Sequence, residues 1–251
     1  MAKVSQNISS DSIFHFIKRR DWLLRILKDK AFKARYVYEE LPHIRFHVGI
    51  PMKCFCDIPL GVIKKHLSRY GKFGIGISKE YAKKNSFSPV IYVHQKSDTM
   101  LRYLRSIKKT EFMKNPNSLL PYFKLDETFT NGKDGRKLTT RLYDEREWRW
   151  IPKDPKFEDF SSFTEEEIRN TRLDVVNEEL EKDKGKYLLP FDYSDITYIF
   201  VQQEDDVDKV IEEIRKIKIT PLQQDRLIAK IITARQIERV SCPKIGLHKK
   251  V

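Results

Sequence analysis

Ile13-Phe14-His15-Phe16-Ile17 is the stretch on which the reading of the fold turns. Four apolar or aromatic residues surround one imidazole, so the segment reads as a strand from which a single polar side chain projects. Alternation puts His15 on the face of Ile13 and Ile17, with Phe14 and Phe16 on the other. Taken alone, His15 reads as a core histidine satisfied by a backbone carbonyl. A functional role needs a second feature.

Tyr143-Asp144-Glu145-Arg146-Glu147-Trp148-Arg149 offers one, about 130 residues further on. Read as part of a long strand over 138–151, it places Tyr143, Glu145, Glu147 and Arg149 on one face. Leu142, Arg146, Trp148 and Trp150 fall on the other, where the tryptophans would anchor to a core. An exposed strand face laced by ion pairs accounts for such a row and contributes little energy. The sharper reading sets a carboxylate against a ribose hydroxyl, where it favours an oxocarbenium-like transition state. Only the fold can bring His15 and Glu147 into one cleft.

Outward from these islands the chain mixes strands and helices. Apolar residues at helical spacing (Trp22, Leu23, Ile26, Leu27) predict a helix from about 20 to 29. The segment 34–49 reads as irregular and 52–58 as a strand. Pro59 opens a helix to Tyr70, with Leu60, Ile63 and Leu67 inward and Lys64, Lys65 and Arg69 outward. A glycine-rich turn (Gly71, Gly74, Gly76) leads into a strand, and 89–94 is another. Helices are expected after Ser97, over 164–183 and over 207–217, with a strand at 197–201. The Asn-, Pro- and Gly-punctuated stretch 113–137 reads as a long loop or hairpin and as the place for a sub-boundary. The expectation is an α+β protein with a mixed sheet and surrounding helices. Residues 1–12 form a flexible lead-in and 13–251 a single domain.

At 251 residues, with 40% hydrophobic and 34% charged residues, the chain can bury a full core and fits a soluble globular protein. It has no repeat and no apolar run long enough to span a membrane. Its start carries no signal-peptide pattern, and three cysteines suit a reducing cytosol. A cytoplasmic protein is expected. Net charge is +13, and residues 1–110 hold 23 lysines and arginines against 8 acids, which exceeds the whole excess. Such a region attracts polyanions, nucleic acid among them, or serves as a solvated surface.

Other motifs are weaker. The glycines at 71, 74 and 76 lack the dinucleotide spacing and mean close packing or a bulge. Tyr70 could stack on a flat ring, or simply be core. Cys54 and Cys56 have no second pair, with Cys242 and His248 remote, so no metal is expected. The hydrolase motifs Gly-x-Ser-x-Gly and His-Glu-x-x-His are absent.

Seven stretches carry a resemblance. They are 9–16 (SSDSIFHF), 50–60 (IPMKCFCDIPL), 70–80 (YGKFGIGISKE), 89–93 (PVIYV), 143–150 (YDEREWRW), 194–201 (SDITYIFV) and 227–237 (LIAKIITARQI). In this order they resemble the AbiGi proteins of bacterial abortive-infection phage resistance, described as antitoxins. The resemblance implies a co-encoded toxin or another defence protein as partner. The opening is also similar to DNA-modifying ADP-ribosyltransferase toxins, in which a His-Phe-Thr strand precedes a helix. That likeness implies an ADP-ribosyltransferase-like core using NAD, with His15 as its contact, Tyr70 as a ring-stacking residue and Glu147, or alternatively Glu145, as the catalytic carboxylate. Ile17 stands in place of the threonine there, and Lys30-Ala31 in place of a glycine after the first helix.

The leading expectation is an AbiGi-type antitoxin or regulatory partner. The alternatives are an NAD-dependent ADP-ribosyltransferase acting on nucleic acid or protein, and a basic nucleic-acid-binding module using Lys64, Lys65 and Arg69.

Overall fold

In the computed structural model the described residues are 10–39, 47–115, 118–131, 137–183 and 185–240. The chain is α+β, a mixed sheet with helices. Its packing separates two compact units: Met1–Lys30, Phe55–Ala82 and Phe191–Val251 form one, and Ala31–Cys54 with Lys83–Pro190 the other. Most of the lead-in expected at 1–12, together with Cys242 and His248, lies outside the described residues.

The first unit is built on the strand Ser12–Ile17, which pairs antiparallel along its length with Phe73–Ser78 and, at Phe14, with Cys56. Phe73–Ser78 pairs in turn with Ile196–Val201, and that strand runs parallel to Ile231–Thr233. Alternation holds: Phe14 and Phe16 both reach Phe200, with ring centroids 5.4 and 4.9 Å apart. The glycines of the middle strand make this possible. A Cβ at Gly74 would sit 2.5 Å from the His15 carbonyl oxygen, and one at Gly76 would lie 3.0 Å from the Phe14 ring. Here the glycines serve close packing, as their spacing suggests. Ile58, Ile63, Leu67, Ala234 and Ile237 complete this core. Helices Arg20–Asp29 and Glu204–Lys216 form where Leu23, Leu27, Val210 and Ile214 recur at helical spacing and are buried. Arg20 Nη1 clamps their starts by donating to Asp206 Oδ1 at 2.9 Å.

In the second unit, Arg35–Glu39 pairs antiparallel with the first part of the strand Val48–Cys56, Tyr36 opposite Pro51 and Tyr38 opposite Gly49. The expectation of irregular chain over 34–49 is therefore corrected at 35–39 and 48–49; residues 40–46 lie outside the described residues. Glu147–Trp150 runs beside Val48–Cys56 and pairs with Ser88–Pro89. Ile91–Val93 runs parallel to Phe123–Leu125, and the helices Asp98–Ser106 and Lys109–Lys114 lie between them in sequence. Val48, Ile50, Met52, Leu104, Phe112 and Phe123 share one core. The acidic segment after Thr164 is helical from Glu165 to Lys182, started by a Thr164–Glu167 capping box and wound as a π-helix over Ile168–Arg172. From it, the Asn177 side chain accepts from the Tyr36 amide at 2.8 Å and donates to the Tyr36 carbonyl at 3.0 Å, fixing the helix to the sheet.

The hairpin reading of 113–137 holds at Glu127–Asn131/Lys137–Arg141, and ahead of it the stretch also carries a 3-10 turn at Leu120–Tyr122 and the strand Phe123–Leu125. One further expectation needs correction. The long strand expected over 138–151 is two strands, Lys137–Arg141 and Glu147–Trp150. Between them Tyr143–Glu145 forms a 3-10 turn and Arg146 is left-handed at φ 44°. Leu142 and Tyr143 donate their amides to the Asp126 carbonyl, which holds the turn in place.

Candidate functional site

The left-handed Arg146 decides the site. It restarts the strand so that Glu147 and Arg149 turn inward, and the preceding 3-10 turn brings Glu145 in beside them. Glu145 is 7% exposed, Glu147 6% and Arg149 0%. The charged side of this strand is thus its interior side. Trp150 is buried too, while Trp148 is half-buried and Tyr143 exposed.

Arg149 is the hub. Its Nε donates to Glu147 Oε1 at 2.7 Å and its Nη2 to Glu147 Oε2 at 3.3 Å, a side-on bidentate pair. Nη2 also donates to Glu39 Oε2 at 2.9 Å, and Nη1 to the Pro121 carbonyl at 2.5 Å. Lys124 Nζ donates to Glu147 Oε2 at 2.7 Å and to Glu145 Oε2 at 3.2 Å. Behind them the Glu147 amide donates to the Tyr92 hydroxyl at 3.0 Å. Three carboxylates thus face two cations, leaving one negative charge in a largely dry place.

Electrostatics follow from this geometry. Burial opposes the Glu147 carboxylate, but Arg149 and Lys124 outweigh it and bring its pKa well below the usual 4.5, to about 2. Burial likewise opposes the Lys124 ammonium, and Glu147, Glu39 and Glu145 overcome it and raise its pKa. Cys54 beside them is driven up, first by burial and then by the Glu147 charge. Burial lifts Tyr92 to about 12. At neutral pH the Glu147 carboxylate is therefore ionised against its two cations, and the Cys54 thiol is protonated.

Chemically, this is a lock. Both oxygens of Glu147 already accept hydrogen bonds, and a low pKa suits an anion held in place rather than a proton carrier. Among the described residues, no group of three or more His, Cys, Asp or Glu is arranged to hold a metal ion.

Of the residues singled out in the sequence, Glu145 and Glu147 are brought together on Lys124. His15 and Tyr70 belong to the other unit. His15 is half-buried in its strand opposite Ile75, its ring 5.4 Å from Phe55. Tyr70 packs on His66 at 4.4 Å with the Arg69 guanidinium 5.3 Å from its ring centre. Lys64, Lys65 and Arg69 lie exposed on the helix Lys64–Tyr70, as its apolar stripe predicts. Sequence reasoning missed Lys124 and Glu39. The one signal for Lys124 is a cation alternating with Phe123 and Leu125 in a short apolar strand.

Residues 32–202 match the family described as "Putative abortive phage resistance protein AbiGi, antitoxin". The chain belongs to the AbiGi family. It is also similar to the abortive phage resistance protein AbiGi of Lactococcus lactis subsp. cremoris, 29% identical over 83% of this chain and 98% of that protein. No solved structure matches. The family match takes in every member of the ion cluster, from Glu39 to Arg149, whereas His15 precedes it. Among the described residues of this AbiGi family member, no helix is long and apolar enough to cross a membrane.

Proposed function

We propose that the chain is the antitoxin of an abortive phage-resistance system and restrains a co-encoded toxin by binding it. The family match over residues 32–202, whose description ends in "antitoxin", carries this reading. The ion cluster supports binding over turnover. A ribose hydroxyl reaching Glu147 would have to displace Arg149 or Lys124 from a carboxylate whose two oxygens are both engaged. A locked charge centre instead stiffens the unit that carries it, and a stiff surface binds with less ordering cost.

Co-expression with the toxin from the adjacent gene is the test. Growth should recover when this chain is present, and the two proteins should co-purify. Toxicity that persists with no co-purification would refute the antitoxin reading. Incubation with labelled NAD separates it from ADP-ribosyl transfer. No label should enter protein or nucleic acid, and incorporation that Glu147→Gln abolishes would replace binding by catalysis.

A further inference from the structure

The first unit contains a cleft that the ion cluster does not explain. It opens where the helices Arg20–Asp29 and Glu204–Lys216 end, since the Arg20–Asp206 pair clamps their starts. Its volume is about 320 Å³, and Leu24, Leu27, Ile214 and Ile217 form its apolar lining. Leu27 and Ile214 are buried, so they belong to the fold. Leu24 and Ile217 are half-buried and offer apolar surface to an incoming group.

The rim is basic. Lys28, Lys216 and Lys218 stand around the opening with one acid, Glu213. Glu213 is taken by Lys216, whose Nζ donates to it at 2.5 Å. Lys28 and Lys218 are exposed and form no ion pair among the described residues. Cations near the last turn of a helix complement its dipole, which accounts for Lys28 and Lys216. Lys218 lies beyond the helix end, and the dipole leaves it unexplained.

We propose that this cleft docks an acidic amphipathic segment of the toxin partner, with apolar side chains in the recess and carboxylates over Lys28 and Lys218. The inference rests on the antitoxin reading and names where the contact is made. The volume falls within the range of pockets that enclose a small group. Nucleic acid fits less well. The recess is lined by aliphatic side chains and no aromatic, so a base finds no ring to stack on. Apolar anchors within a charged rim are the usual anatomy of a protein contact.

The experiment measures affinity of the full chain for the purified toxin by titration calorimetry, with melting temperature recorded for each variant. Lys28→Glu/Lys218→Glu should weaken binding at least 10-fold with melting unchanged, because both side chains are exposed. Leu24→Asn should also weaken it, and Lys83→Glu/Lys84→Glu, exposed and remote in sequence from the cleft, should not. Toxin binding by the wild type with equal binding by the Lys28/Lys218 variant would overturn the docking inference and leave the antitoxin reading standing. Absence of binding by the wild type would sink both. A single-stranded oligonucleotide is the second probe. If the Lys28/Lys218 change abolishes oligonucleotide binding and spares the toxin, the cleft is a nucleic-acid site and the proposal is wrong.

Discussion

Ser12–Ile17 and Glu147–Trp150 are both short strands packed inside their units, yet they are held by opposite physics. Around the first, Phe14, Phe16, Tyr198 and Phe200 make edge and tilted ring contacts over glycines that let them close in. Its stability comes from apolar area removed from water, which adds up contact by contact and tolerates similar shapes. Around the second, two carboxylates on the same segment and one from Glu39 surround Arg149 and Lys124. Desolvation offsets much of that attraction, so the cluster adds little while complete and costs heavily when one member is lost. One region degrades gradually. The other depends on a full set.

The largest expected effect breaks the second region. Arg149→Met leaves the buried Glu147 and the half-buried Glu39 with only Lys124 nearby, and should cost about 3–5 kcal/mol in reversible denaturation. A loss under about 1 kcal/mol would show that water enters the cluster. Arg149→Lys sharpens the point. It keeps the charge but cannot make the side-on pair or reach three acceptors, so it should still cost about 2 kcal/mol or more.

Acid separates the regions without mutation. Because the Glu147 pKa is depressed in the fold, its contribution is present above the ordinary 4.5 and is lost as pH falls toward about 2. Wild-type melting temperature should therefore drop steeply across that window, and Glu147→Gln should start lower and fall less. Parallel slopes for the two proteins would place the acid sensitivity elsewhere. Phe200→Leu is the smallest of these effects. In a ring-packed core it should cost less than about 1.5 kcal/mol, and a larger loss would mean the rings depend on each other as the charges do.

Much of the first region was legible in the chain. Its helices follow apolar spacing at Leu23/Leu27 and Val210/Ile214, and the Ile13–Ile17 alternation survives intact. The glycines at 74 and 76 were legible as packing residues, because only a missing Cβ permits a carbonyl or ring so close. The second region was misread at one residue. Leu138 to Ile151 alternates well enough to pass for one strand, and nothing local marks Arg146 as left-handed, since arginine seldom adopts that conformation. Glu145 and Glu147 were singled out as chemically capable, but the partners that neutralise them were not. Glu39 lies 110 residues from Arg149, and Lys124 23 residues from Glu147.

What the order of residues determined alone is the set of elements whose stability is local: helices with one apolar face, strands with alternating faces, and a charge balance of +13. The gathering of three acids and two cations in one place, with Glu145, Glu147 and Arg149 buried, was decided only by tertiary structure. A periodic pattern says which side chains avoid water, whereas a charge goes inside only if opposite charges arrive from distant segments to meet it. That meeting depends on distances in space, and spacing along the chain does not encode it.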